Sequence, residues 1–209
     1  MKKTLMKVAC AFAVSVGTVA AQTARVPVAP DSKLWIDGTS NLHGWSCKAT
    51  TLDAAIEVDA AVGQIGIAAN AVKRVEVKVP VRSMKCGHDA MDNNLYKALK
   101  ADDDASISYI LADFEATPEL RDGFTLHTNG TLSLAGKEKP LSMDVSATRL
   151  PDGAVKATGT VTVKMTDFGI SPPTAMFGTL RTGDEVKVSF DLTVGSKAIA
   201  TATAGASNP

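Results

Sequence analysis

The chain has few of the residues that usually carry chemistry. Only 5% of its 209 positions are aromatic, and it holds 3 histidines and 3 cysteines. Few side chains can therefore serve as nucleophile, general base or soft metal ligand. No serine stands in a Gly-x-Ser-x-Gly elbow, and no glycine-rich loop has the form of a phosphate cradle. An enzyme reading would rest on Cys86, His88 and Asp89 alone, which do not make a nucleophile, a base and an orienting group, so no catalytic residue is assigned. There is no excess of charge either, with 22 basic against 22 acidic residues. The lack of a basic stripe argues against nucleic acid as a partner. Beyond the N-terminus no run reaches the ~20 apolar residues that span a bilayer, so no stable membrane insertion is expected. No repeat of fixed period is present.

The first residues follow a separate logic. Lys2, Lys3 and Lys7 precede an apolar run from Val8 to Val19, and Val19-Ala20-Ala21 offers small residues for cleavage before Gln22. Residues 1–21 read as a secretory signal peptide of bacterial type, which places the mature protein in the periplasm. Cleavage removes Cys10. It also takes the basic residues from 22 to 19 against 22 acidic ones, a net charge of about −3. Residues 22–32, with Pro27 and Pro30, read as a linker. Residues 33–195 read as one domain, and the Ala/Thr/Ser-rich stretch 196–209 as a tail without periodicity.

What fills the domain is alternation. Phe124, Leu126, Thr128, Gly130, Leu132 and Leu134 fall on one face of an extended strand. Leu141, Met143 and Val145 repeat the pattern, as do Val155, Ala157, Val161 and Val163, then Val186, Val188, Phe190, Leu192 and Val194. Earlier, Leu52, Ala54, Ile56 and Val58 share a face, as do Val75, Val77, Val79 and Val81, and then Ile107, Tyr109 and Leu111. Side chains of a strand alternate between faces, so each strand has one dry side. Arg121-Asp122-Gly123, Gly136 to Lys139 and Pro151-Asp152-Gly153 mark turns. One stretch breaks the period: within Asp89–Lys100, Met91, Leu95, Ala98 and Leu99 lie on one side of a short amphipathic helix, with Asp89 as its expected N-cap. The residues predict an all-β fold of about eight strands and one helix, a barrel or a sandwich.

Cys47 and Cys86 remain after cleavage. An even pair in an oxidising compartment forms a disulfide in most proteins. Two alternatives stay open: a two-Cys, two-His site with His43 and His88, or two free thiols. On a straight strand His43 and Cys47 would stand ~13 Å apart, too far to share an ion unless Gly44 turns the chain. His127 falls on the outward parity and reads as an exposed strand histidine. Asp102-Asp103-Asp104 reads as a solvated turn, since a metal site needs more ligands at the right spacing. The helical break, Met84 to Lys100, reads either as a lid beside a barrel mouth or as a helix covering one end of a core.

Several segments together resemble the YceI-like family. Gly130-Thr-Leu-Ser-Leu-Ala-Gly-Lys-Glu-Lys-Pro-Leu141 is similar to one of its hairpins, Lys164-Met-Thr-Asp-Phe-Gly-Ile170 to its Asp-Phe-Gly-Ile segment, and Gly183-Asp-Glu-Val-Lys-Val188 to the start of its last strand. Arg74 to Ser83 resembles the strand before its helical crossover. The resemblance implies an eight-stranded antiparallel lipocalin-like barrel with one short crossover helix. It also implies a periplasmic, non-enzymatic protein that binds a long isoprenoid-type lipid along its interior and needs no cofactor. Met91 and Asn94 depart from the family's usual Arg and His, and the cysteines are extra.

The expected lumen wall is Val77, Val79, Tyr109, Leu132, Leu134, Val161, Val163, Val188 and Phe190, with Lys78, Lys164 and Lys187 outside. The expected mouth is His88, Met91, Leu95 and Phe168. Short inward side chains suit a flexible lipid, which gains about 0.8 kcal/mol per buried CH₂. The same parity would serve a barrel with a filled core and no ligand, acting as a structural or interaction domain. The oligomeric state is not legible.

Overall fold

A computed structural model describes residues 23–59, 72–119 and 123–195. The expected signal peptide, residues 60–71, residues 120–122 and the tail from 196 lie outside the described residues. In chain order the elements are β1 (Thr23–Val26), β2 (Lys33–Ser40), β3 (Gly44–Ala49), β4 (Asp53–Asp59), β5 (Val72–Pro80), β6 (Met84–Lys85), α1 (Asp89–Ala98), β7 (Ser106–Pro118), β8 (Gly123–Leu134), β9 (Lys137–Arg149), β10 (Val155–Lys164), β11 (Thr174–Ala175) and β12 (Leu180–Val194).

All pairings are antiparallel, and they resolve these segments into eight bent strands. β7, β8, β9, β10 and β12 form a meander. The other three strands are each broken once. β1 leads into β2, β3 into β4, and β5 through a short 3-10 turn (Val81–Ser83) into β6. The first of them pairs with β12 through β2 and through a bridge between Val28 and Val194. It pairs with the second through β2–β3 and β1–β4. The second meets the third through β4–β5 and β3–β6, and β5 continues to β7. The last strand thus meets the first, which closes an up-and-down barrel. β11 lies off this ring, on the start of β12.

The breaks have local causes. Pro27 and Pro30 have no N–H for a ladder. The kinks of the second and third strands satisfy one another: Thr50 donates to the Ser83 carbonyl from both its N–H and its hydroxyl, each at 2.9 Å. The stretch 22–32, expected as a linker, is corrected by this arrangement. From Thr23 onward it is barrel wall, with Ala29 N–H donating to the Thr193 carbonyl at 2.7 Å.

Alternation sets which side is dry, and Lys78, Lys164 and Lys187 are exposed as expected. One bulge shifts the parity. Leu111 pairs with Gly130 but Asp113 pairs with Asn129, so Ala112 is the extra residue and Phe114, not Asp113, returns to the inner face. The β8–β9 turn uses Ala135 (φ 52°) and Gly136 (φ 76°), the paired positive φ of a type I′ hairpin.

The ends of the barrel are packed differently. At one end Val81, Tyr96, Leu99, Leu132, Met165, Phe168 and Ile170 form a buried cluster. At the far end Ile56, Val58, Leu192 and Val194 do so. Beside the helix, Cys47 and Cys86 are bonded, with Cα atoms 4.0 Å apart. The disulfide consumes both thiols, so the free-thiol and two-Cys, two-His alternatives lapse. By the chain-entropy argument a loop of this length stabilises the fold by about 3–4 kcal/mol. Reducing the disulfide is expected to lower the unfolding free energy by about that amount, measured by urea unfolding with and without reductant. An unchanged midpoint would contradict a structural role.

Candidate functional site

The inner faces of the ring enclose a cavity of about 460 Å³, within the usual range for small-molecule sites. Its wall is almost wholly apolar. All nine expected wall residues line it: Val77, Val79, Tyr109, Leu132, Leu134, Val161, Val163, Val188 and Phe190. Met91 and Leu95, expected at the mouth, also line it, joined by Ala98 and Leu99 from the same helical stripe. Two expected mouth residues stand elsewhere. His88 is exposed and caps the helix outside the wall. Phe168 is 3% exposed and packs in the cluster that closes the helix end.

The lumen stays open because its larger side chains lie along the wall. A Cβ at Gly130 would sit 2.5 Å from both Cζ and Oη of Tyr109, so that ring lies directly over the glycine of the next strand. The Phe190 ring covers Gly159 and the Trp45 ring covers Gly38 in the same way. A glycine in a strand interior gives up packing, and a close approach of this kind explains its presence. Trp45 and Phe114 are wall residues that the sequence reading missed. Trp45 shares the parity of Cys47, which could have shown it; Phe114 is hidden by the bulge.

Charge is kept to the margins of this wall. Arg149 ends β9 at the far end, and His43 sits in the β2–β3 turn at the helix end. Among the described residues, no Asp, Glu or Lys lines the cavity. Burial raises the pKa of Tyr109, which keeps the phenol a neutral donor.

Helix α1 shows its apolar stripe to the lumen and is fastened on its other side. The N-cap is His88, and Asp89 is the first helical residue, a correction to the expected cap. The carboxylate that works locally is that of Asp92. It is buried, accepts the Cys86 N–H at 2.7 Å and lies 3.2 Å from Lys85 Nζ. The backbone hydrogen bond from Cys86, with help from Lys85, holds its pKa below the usual carboxylate range. Lys85 also donates to Tyr96 Oη at 2.7 Å, and the phenol in turn donates to the Met84 carbonyl at 2.9 Å. These bonds to Tyr96, then Asp92, raise the Lys85 pKa. These bonds tie the helix to the disulfide-bearing segment. It covers one end of the lumen with its apolar stripe.

The rest of that rim is loop. Asn41 in the β2–β3 turn donates from Nδ2 to the Thr179 carbonyl and accepts the Arg181 N–H on Oδ1, both at 2.8 Å. Leu42 and Phe177, on these two tied loops, are large apolar side chains left exposed. Ser40, Pro173, Thr174, Ala175 and Leu180 line the cavity beside them.

Comparison with known proteins agrees on the fold. The model of a family described as YceI-like domain matches residues 32–194. BcnA of Burkholderia cenocepacia superposes with a TM-score of 0.60 at 16% identity, covering 78% of this chain and 95% of that one. A polyisoprenoid binding domain from Saccharophagus degradans, implicated in plant cell wall breakdown, superposes with a TM-score of 0.61 at 12% identity, covering 82% and 97%. The YCEI protein of Campylobacter jejuni superposes with a TM-score of 0.53 at 15% identity, covering 94% and 99%. No curated protein matches the sequence.

The Asp92 arrangement makes a pH-dependent contribution of known sign. A carboxylate with a depressed folded pKa stabilises fully above its unfolded value, about pH 4, and the effect is lost as pH falls through the lower folded value. Asp92→Asn is expected to lower the urea midpoint at pH 7, and the gap from wild type is expected to narrow as pH falls below the unfolded value and through the lower folded one. A gap that is constant with pH would contradict the assignment.

Proposed function

The chain belongs to the YceI-like domain family, and from that premise we propose that it binds and carries one long apolar lipid of isoprenoid type in its lumen. It does so as a non-enzymatic protein of the bacterial periplasm. The observation that carries this reading is the continuous apolar cavity inside a closed ring of strands. A barrel of eight strands is narrow enough for side chains to fill it. Here the inward positions are mostly Val, Leu, Ala and Met, and three of the rings are laid flat over glycines. A slim, flexible chain can follow such a channel and gains about 0.8 kcal/mol for each CH₂ it buries. The structural neighbour described as a polyisoprenoid binding domain supports the same ligand class. So does the near absence of charge from the wall, which leaves a headgroup little ionic recognition away from the rim.

The reading makes a paired prediction on β10. Val161 lines the lumen, whereas its neighbour Thr162 is exposed. Val161→Lys places an unpaired ammonium in an apolar interior, at a cost of several kcal/mol. It is expected to cut the prenyl lipid retained by purified protein at least about tenfold, while Thr162→Lys leaves retention unchanged. The measurement is mass spectrometry of an organic extract, normalised to folded protein. Equal retention by both variants would refute the lumen as the binding site.

A further inference from the structure

Among the described residues, one buried side-chain oxygen or nitrogen has no hydrogen-bond partner: Oη of Tyr109. It does not lie in a packed core. Tyr109 lines the lumen, and its phenol end lies over Gly130 on the inner face of the barrel. On the same face of the wall as Tyr109 stands Thr128. Its hydroxyl, however, already donates to the Met143 carbonyl at 2.8 Å, and it forms no geometrically sound hydrogen bond with the phenol. An unsatisfied buried donor costs free energy and is rare in folded proteins. Phenylalanine would fill the same space over Gly130 without that cost.

We infer that Tyr109 is the polar recognition point of the lumen and that it donates its O–H to an uncharged acceptor on the bound lipid, such as a quinone, amide or ester carbonyl. This rests on the reading of the lumen as a lipid site. The chemistry of the surroundings selects a neutral group. The residues paired or stacked with Tyr109 are Val77, Leu132 and Gly130, none of which carries charge. The wall residues that can be cationic, His43 and Arg149, are placed in a turn and at a strand end. A phosphate at Tyr109 would be desolvated without a counter-charge, which is costly. Position sets the orientation. Tyr109 is the fourth residue of β7, about 10 Å along the strand from its helix end, and the strand runs about 30 Å further to Pro118. The acceptor therefore sits just beneath helix α1, and the apolar tail runs toward Val58 and Val194.

The test uses the mature protein and three probes with the same tail: a decyl benzoquinone, decylbenzene and decyl phosphate. Each competes for the lumen against the apolar fluorophore N-phenylnaphthylamine. Wild type is expected to prefer the quinone. Tyr109→Phe is expected to weaken the quinone about 5- to 10-fold, the loss of about one net hydrogen bond, and to leave decylbenzene unchanged. It is also expected to leave the thermal midpoint of the ligand-free protein equal or higher, because the removed hydroxyl had no partner. Equal losses for quinone and hydrocarbon would overturn the inference, as would no loss for either or a wild-type preference for decyl phosphate. A lower ligand-free midpoint would mean that the phenol is structural, and would overturn it too. If no probe displaces the fluorophore from wild type, the lumen reading itself fails, and this inference with it.

Discussion

Closure of the backbone ladder is the constraint on which the rest depends. When eight strands hydrogen-bond in a ring there is no edge left, and every second side chain must share one interior. Those side chains can meet across the middle and fill it, or stop short and leave a channel. This chain stops short at most levels. It places Val, Leu, Ala and Met inward, and it answers three aromatic residues with three glycines on adjoining strands. The rings of Tyr109, Phe190 and Trp45 then become part of the wall. The cavity is thus a consequence of which residues face one another across the ladder.

The two ends of that channel are treated differently. At the far end branched aliphatics around Val58 and Val194 pack together. The helix end is covered by α1, whose outer side is bound through Asp92, Tyr96 and Lys85 to the segment that carries the disulfide. That polar fastening lies outside the lumen, so the apolar stripe of Met91, Leu95, Ala98 and Leu99 can face inward without competing demands. The loops opposite, around Leu42 and Phe177, are held to one another by Asn41 rather than by a buried cluster. They make the less heavily packed part of the rim.

Much of this was legible in the sequence, and the failures are physical. Period-two alternation carries the inward set because a strand with one dry face admits few other patterns, so Val77 to Phe190 read correctly. The helix stood out because Met91, Leu95 and Leu99 break that period. What alternation cannot show is a residue that slips the count: the bulge at Ala112 hid Phe114. It cannot show where a strand bends, so residues 23–32, broken by Pro27 and Pro30, read as linker although they pair with β4 and β12. Nor does it see across strands. That the Tyr109 ring lies over Gly130, and that Asp92 accepts the Cys86 N–H, follows only from the fold. The disulfide was accessible from compartment and parity of number. His88, beside the apolar stripe in sequence, stands outside the cavity wall, because nearness in sequence does not say on which side of the wall a side chain stands.

The central claim is that the lumen is occupied by a lipid. Native mass spectrometry of the mature protein, exported by a bacterial host and purified without detergent, tests it most directly. The account predicts the polypeptide mass plus one apolar lipid per chain, released on unfolding and recovered in the organic phase. A bare polypeptide mass, unchanged after incubation with prenyl lipids, would contradict it.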